Sequence, residues 1–534
     1  MTGSLPALLD DLAARHGART AFRTGDLVRS FADLAAESRR VAGGLARLGI
    51  GPGDRVAIWL PNGAAWLSLF FACARRRAIA FLANTRFRHR EMADLIARGK
   101  VRTLALWPGF KGIGFLDILA AADPAALAGI ETVILYDEGE PLPALPPGLA
   151  HARVVRLADL AGAPAEAGDD ATAEDRCAVF TTSGTTRTPK FVLHRQRSLV
   201  AHAPMAAAAM GYAPGAATLQ GLPFCGVYGF CQMMASLAAG APMTVLPFFD
   251  ADDAVVAIAR DGIVATNATD DMLERMLAID PSGARLRSLR RIGYAAFKAP
   301  ERRDLMDAYD RFGTRLHGLY GMSECQALYA LQPLDAPPAL RCRGGGVPVA
   351  AAARVRARDP EGDALLPHGE TGLLEVSGPS LMAEYLDDPA ATAAAFTPDG
   401  YLRTGDLGHT EPGAGFVYLA RAGDALRLGG FLVSPREIEA FLEADPAVDR
   451  AQVVAADGPA GPRAVGFVTL KPGATLDEPA LVARARDAMA RYKAPARIVA
   501  VPDFPMTESA NGMKIQKAKL REMAAGLLAA TVGA

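Results

Sequence analysis

The residues with the clearest chemical purpose stand between Val179 and His194, in the string VFTTSGTTRTPKFVLH. An apolar run from Cys177 to Phe180 reads as a buried strand, and Phe191 to Leu193 as a second. Between them Thr181, Thr182, Ser183, Gly184, Thr185 and Thr186 crowd hydroxyls and exposed backbone N–H groups around one amine, Lys190. Hydroxyl and N–H donors beside a point positive charge suit a phosphate chain. This is not the usual P-loop, whose glycine-rich turn runs through Gly-Lys-Ser/Thr directly into a helix. Here Pro189 precedes the lysine and β-formers follow it, so the loop joins strand to strand. From Arg176 through Phe249 there is no Asp or Glu, while Arg176, Arg187, Lys190, Arg195 and Arg197 all occur. That balance lowers the cost of bringing a polyanion close. Taken alone, the same letters also fit a polar turn at the surface.

Further segments extend the theme. Residues 317–324 read HGLYGMSE: Tyr320 can stack on a purine, Gly321 permits close approach, Ser323 offers a hydroxyl and Glu324 a carboxylate. A carboxylate together with a polyphosphate is the usual way to hold Mg²⁺. Residues 399–408 read DGYLRTGDLG, with Asp406 where a carboxylate can accept from two ribose hydroxyls. Near the C-terminus, Asn511-Gly512 marks a turn that presents Lys514, with Lys517, Lys519 and Arg521 behind it. Each also has an ordinary reading, as a solvated loop glutamate, a turn aspartate or the basic start of a helix.

These side chains need a frame. Phe31, Leu34, Ser38, Val41, Leu45 and Leu48 mark one face of an amphipathic helix with a single polar lapse. Strands at 56–60, 78–82 and 101–107 alternate with helices at 64–75 and 90–98, the pattern of βαβ units and a parallel sheet. Residues 132–136 and 263–266 add strands, and the Pro-, Ala- and Gly-rich stretch 138–175 reads as a surface excursion. From about residue 340 short strands at 353–358, 372–377, 401–403 and 416–419 suggest a small antiparallel, barrel-like layer. After Arg421 a compact α+β module follows: helix 435–443, strands 451–455 and 464–470, helix 478–491 and strand 497–501. The expected fold is α/β, with a large N-terminal domain at 1–421 and a smaller mobile domain at 422–534.

The chain has 534 residues, 51% hydrophobic and 22% charged, enough for several cores. Net charge is −1, so no basic field argues for nucleic acid. Six cysteines without a C-x-x-C pair disfavour a disulfide framework or zinc ribbon and fit a reducing cytoplasm. The N-terminus lacks the basic start of a signal peptide, and no apolar run is long enough to span a membrane.

Taken together, the four chemical segments, in this order, resemble the adenylate-forming superfamily of acyl- and aryl-CoA synthetases, luciferases and peptide-synthetase adenylation domains. GPGDRVAIWLPN at 51–62, LANTRF at 82–87, GETGLLEVSG at 369–378 and GDALRLGGFLVSPREIE at 423–439 extend the resemblance over nearly the whole chain. It implies that a carboxylate attacks the α-phosphate of ATP, giving acyl-AMP and pyrophosphate, and that a thiol, commonly that of coenzyme A, then displaces AMP. It assigns Thr182, Ser183, Gly184, Thr185, Thr186 and Lys190 to the phosphates, Tyr320 to adenine, Ser323 to the α-phosphate and Glu324 to Mg²⁺. Asp406 and Arg421 would hold the ribose, Lys514 would bridge carboxylate and α-phosphate, and Gly429 and Gly430 would line the pantetheine passage. The C-terminal domain would rotate about Gly423 between the half-reactions. Four residues depart from the family pattern: Arg187 in the loop, Gly226 where many members have histidine, Gly423 at the hinge, and Met513 between Gly512 and Lys514.

The acyl pocket is expected around Phe224, Gly226, Val227, Tyr228, Gly293, Tyr294 and Ala295, although the aromatics there also suit a core. The acid-free span 176–249 disfavours an α-amino acid, whose ammonium needs a carboxylate. The expected enzyme is a cytoplasmic, ATP-, Mg²⁺- and CoA-dependent ligase of an aryl or short-to-medium-chain acid, a monomer or homodimer. An acyl-AMP ligase feeding a carrier protein is the alternative, and a catalytically silent nucleotide or acyl binder a third reading.

Overall fold

The computed structural model describes residues 3–137, 139, 143–165, 170–182, 189–297, 301–428, 431–433, 435–458, 461–489, 491–509 and 512–530. Ser183, Gly184, Thr185, Thr186, Arg187, Gly429 and Gly430 lie outside the described residues.

The amphipathic stretch beginning at Phe31 is the helix Phe31–Arg47, started by a capping box between Ser30 and Asp33. Phe31, Leu34, Val41 and Leu45 are buried as the spacing requires. The polar lapse, Ser38, is buried too: its hydroxyl donates to the Ala35 carbonyl and accepts from Arg75 Nε. Two large sheets follow from the βαβ pattern. In the eight-stranded sheet, Ile79–Leu82, Arg55–Trp59, Thr103–Leu106 and Thr132–Leu135 run parallel, each largely apolar and, apart from half-buried Arg55, buried along its length. Its other flank is Arg176–Thr181, Phe191–Arg195 and the two-residue strand Glu384–Tyr385, the last two paired antiparallel.

The thirteen-stranded sheet is parallel at Thr218–Gln220, Met243–Val245, Ala265–Thr269 and Arg291–Ala295. It continues through the hairpin Arg315–Met322 and Gln326–Leu331 into antiparallel strands. The barrel-like layer expected after residue 340 is therefore joined edge to edge to the parallel sheet, through Gly345–Pro348 and Phe416–Arg421. A second difference lies in 138–175, expected as a surface excursion. Arg153–Arg156 pairs in parallel with Thr132–Leu135 as the edge strand of its sheet. Its sequence, RVVR, hides the signal, because charged ends are what an exposed edge tolerates.

The buried helices Ala64–Arg75 and Val227–Ala238 bring Trp66 and Phe230 into contact, with Trp66 5.3 Å from Phe224 and Phe180 5.2 Å from Phe230. Beyond Arg421, the clusters around Leu428, Ile438 and Val453 and around Phe467 and Leu520 contain only residues from Leu426 onward. No helix among the described residues is long and apolar enough to cross a membrane.

Two imidazoles fasten the hairpin that carries Tyr320 and Glu324. His194 Nε2 donates to the Ser323 carbonyl at 2.8 Å, and His202 Nε2 to the Ala327 carbonyl at 2.7 Å. His317, on the hairpin itself, places Nδ1 3.2 Å from the Gln332 carbonyl. Burial holds all three rings neutral, pushing each down to about 4 against the carbonyls that favour the charged form.

The unfolded chain takes up protons on these rings below about pH 6.5, while the folded chain does so only near 4. Their stabilisation is therefore complete above the unfolded value and is lost as pH falls through that window, by up to roughly 3 kcal/mol per ring. Melting temperature measured from pH 7 to 4 should drop steeply. His202→Gln, which can still donate to Ala327 but does not titrate, should drop less; an unchanged slope would show that His202 is not held neutral.

Candidate nucleotide and acyl site

The strands Arg176–Thr181 and Phe191–Arg195 close the hydroxyl-rich loop at its neck. Thr182 N–H donates to the Lys190 carbonyl, and Lys190 N–H to Thr182 Oγ1, both at 3.0 Å. Thr182 thus has its acceptor committed to the neck. Arg98 Nη2 donates to the Pro189 carbonyl at 2.7 Å and supports the same turn. Lys190 itself is exposed, its Nζ 4.2 Å from the centroid of the Tyr385 ring, a cation–π seat.

Tyr385 reaches that position because its strand pairs with Phe191–Arg195, Tyr385 opposite Val192. Its hydroxyl donates to Glu324 Oε1 at 2.8 Å. Burial, and then the Glu324 charge, push the Tyr385 phenol far above its ordinary value, so it remains a donor. Glu324 is 6% exposed, and its carbonyl accepts from Met382 N–H at 2.7 Å. One tyrosine therefore joins the lysine of the loop to the carboxylate of the hairpin. No spacing in the sequence connects position 385 to 190 and 324; only the pairing of a two-residue strand does.

Four residues back along the hairpin, the Tyr320 hydroxyl donates to Asp406 Oδ2 at 2.5 Å. The Tyr320 ring stands edge-on to Phe416 and near Tyr418, 5.0 and 5.9 Å between centroids. Asp406 Oδ1 lies 3.0 Å from Arg421 Nε, its partner across the antiparallel pair Leu402–Thr410 and Phe416–Arg421. Burial opposes the Arg421 charge, but Asp406 and, further off, Glu324 keep it firmly protonated. Gly321 could carry no side chain: a Cβ there would meet Ala327 Cα at 2.5 Å. Ser323 is held through its carbonyl by His194, which sequence reading did not single out.

Chemically, the cluster offers an exposed ammonium, a buried carboxylate beside it, and a second buried carboxylate held by Tyr320 and Arg421. Among the described residues no three His, Cys, Asp or Glu side chains form a metal cage. That donor set fits Mg²⁺ held by Glu324 together with polyphosphate oxygens and water.

Residues 9–386 match the AMP-binding enzyme family, and residues 437–511 match the AMP-binding enzyme C-terminal domain. The chain belongs to the AMP-binding enzyme family. Sulfoacetate–CoA ligase of Cupriavidus necator is 30% identical over 495 residues, 92% of either chain. Indoleacetate–CoA ligase of Aromatoleum aromaticum is 30% identical over 524 residues, 97% of either chain. Pyochelin synthase PchD of Pseudomonas aeruginosa is 31% identical over 526 residues, 96% of this chain and 90% of that one. The crystal structure of ATP-bound MatB from Rhodopseudomonas palustris superposes with a TM-score of 0.82 at 25% identity, covering 99% of this chain and 100% of that one. The protein is thus an adenylate-forming enzyme of the CoA ligase family.

In this AMP-binding enzyme the residues expected at the acyl end divide. Phe224 is fully buried against Trp66. Gly226 caps the helix Val227–Ala238, leaving Val227 half-buried at its first turn. The Tyr228 hydroxyl donates to the Gly293 and Ala268 carbonyls at 2.9 and 3.2 Å. Gly293 and Ala295 share one face of their strand, and Tyr294, alternating, faces the other and is buried. In the C-terminal part, Lys514 lies on the hairpin strand Gly512–Ile515 opposite Thr507. Lys517 is instead drawn to buried Glu439, with Nζ 3.9 Å from Oε1. Arg521 donates to the Gly423 carbonyl at 3.1 Å and pairs with Asp424 at 2.7 Å. An added Cβ at Gly423 would meet nothing within 4 Å, so packing does not demand a glycine there.

Tyr385→Phe keeps the ring under Lys190 and removes only the donor to Glu324. Losing a hydrogen bond to a charged group should weaken ATP binding about tenfold or more when Mg²⁺ is present, and hardly at all with the metal chelated. Tyr385→Leu should weaken it in both conditions. Calorimetric titration with ATP checks this; equal losses for Phe with and without Mg²⁺ would separate Tyr385 from the role of Glu324.

Proposed function

We propose that the protein is an ATP-dependent carboxylic acid–CoA ligase acting on an aryl or short-to-medium-chain acid. The observation that carries this reading is Tyr385 holding Glu324 while seating Lys190, next to the Tyr320–Asp406–Arg421 cluster. Lys190 is an exposed cation that, among the described residues, has no carboxylate partner, which leaves it for phosphate. Asp406 is preplaced for the ribose hydroxyls, with Tyr320 toward the base. When bound through Glu324, Mg²⁺ supplies positive charge where the pyrophosphate leaves.

In the first half-reaction an oxygen of the acid attacks the α-phosphorus and the bond to pyrophosphate breaks. Negative charge grows on the phosphoryl oxygens, and preplaced cations lower that barrier most. We assign Lys514 to this step, with Ser323 at the α-phosphate. In the second, the thiol of coenzyme A attacks the acyl carbonyl, gives up its proton, and AMP leaves. We place the domain boundary after Arg421 and the turning point at Gly423, which adjusts its backbone at little steric cost. The phosphate roles of Ser183, Gly184, Thr185 and Thr186, and the pantetheine passage at Gly429 and Gly430, belong to the same proposal. Six free thiols agree with a cytoplasmic enzyme.

Names of relatives support the thiol: two of the three quoted are CoA ligases. Pyochelin synthase PchD keeps a second reading in view, delivery of the acyl group to a carrier-protein thiol. Pyrophosphate release screened over a panel of carboxylic acids, with and without CoA, decides between them. Consumption of acyl-AMP by free CoA supports the ligase; adenylate that accumulates in its presence favours the carrier protein; no pyrophosphate with any acid points to a silent binder.

Lys514→Ala should lower acid-dependent pyrophosphate release by about 10² to 10³, yet convert supplied acyl-AMP and CoA at nearly the wild-type rate. Lys517→Ala, whose lysine leans on Glu439, should spare adenylation. The assignment fails if Lys517→Ala is the inactive variant, and domain alternation fails if Lys514→Ala loses both half-reactions equally.

A further inference from the structure

Asn267 is fully buried on the strand Ala265–Thr269. Neither its amide nitrogen nor its amide oxygen has a hydrogen-bond partner among the described residues. Folded proteins rarely leave both ends of a buried carboxamide unpaired unless something else supplies the bonds. The surroundings indicate what that is. Asn267 is the Cα partner of Gly293. A Cβ built on Gly293 would lie 2.3 Å from Asn267 Oδ1 and 3.3 Å from Leu319 Cδ2. The amide therefore lies over the bare Cα of Gly293, in space that any side chain there would fill. Tyr228 sits behind the same strands, with its hydroxyl already given to the Gly293 and Ala268 carbonyls. Val227, Ala295 and Leu319 are only half-buried, whereas Asn267 is not exposed at all. Gly293, Ala295 and Leu319 thus present an apolar face whose buried floor is the Asn267 carboxamide.

We propose that Asn267 reads a hydroxyl or amino substituent on an aromatic acid, and so sets the substrate class of the ligase. A carboxamide has a donor and an acceptor, and its complement is a neutral group that both donates and accepts. A carboxylate would leave Oδ1 facing negative charge, and an ammonium would leave the NH₂ facing positive charge. A rigid ring carries such a group to the floor while its carboxylate stays at the phosphate end, with little ordering cost. This rests on the reading that the acid lies beside Gly293.

The test measures acid-dependent pyrophosphate release with benzoic acid, the three monohydroxybenzoic acids and hexanoic acid. Wild type, Asn267→Leu and Asn267→Ser are compared. One hydroxy acid should exceed benzoic acid at least about tenfold in kcat/KM, as sites built to pair a substrate hydroxyl do. Asn267→Leu, similar in shape, should bring that ratio near one by losing the hydroxy acid while keeping benzoic acid. Asn267→Ser should retain part of the preference. Because the leucine removes an unpaired polar group, its melting temperature should not fall. A wild-type ratio near one, a ratio unchanged in Asn267→Leu, or a large loss of its stability overturns the proposal. Activation of hexanoic acid alone overturns the aromatic class and leaves the ligase reading standing. No pyrophosphate with any of these acids, when other carboxylic acids also fail, overturns both.

Discussion

Two carboxylates, Glu324 and Asp406, are kept almost entirely out of water, and the site depends on how they are kept there. A buried carboxylate is costly unless hydrogen bonds and opposite charge replace its hydration. Here tyrosine hydroxyls do part of that work, Tyr385 for Glu324 and Tyr320 for Asp406, with Arg421 adding charge at the second. Both phenols stay protonated because burial and the neighbouring carboxylates raise them far above their ordinary value. Each carboxylate is thereby already desolvated and already oriented.

The fold is arranged around that requirement. Tyr320 and Glu324 ride on one hairpin, whose two strands approach closely enough to admit only glycine at Gly321. His194 and His202 tie this hairpin to the strand and helix that follow Lys190. The short strand Glu384–Tyr385 does the same from the other edge. Joining the antiparallel layer to the parallel sheet brings Asp406 and Arg421 to the hairpin's flank. Lysine, carboxylates and aromatic rings from five distant stretches of chain are thereby fixed by backbone pairing, not by loops alone.

Much of this was legible in the sequence, for a physical reason. Lys190, Glu324 and Asp406 sit in short strings of glycine, hydroxyl and charge that have few structural uses, and the alternation of apolar runs shows the parallel sheets. Tyr385 was not legible, since a tyrosine among EYLDDP carries no sign of which lysine it will underlie. Asn267 was hidden for a similar reason: one amide in ATNAT reads as an ordinary strand residue until its burial and lack of partners are known. The edge strand Arg153–Arg156 was masked by its own arginines. Phe224, expected in the pocket, is fully buried against Trp66, a placement that its aromatic letter alone does not foretell.

If Tyr385 acts through Glu324, the two must be energetically coupled. A double-mutant cycle of Tyr385→Phe and Glu324→Ala, read as kcat/KM for ATP in acid-dependent pyrophosphate release, measures that coupling directly. Coupling of about 1 to 3 kcal/mol is expected, because once the carboxylate is gone the hydroxyl has nothing left to hold. Additivity within about 0.5 kcal/mol would contradict it, and would mean that the hydrogen bond between them is incidental to the chemistry.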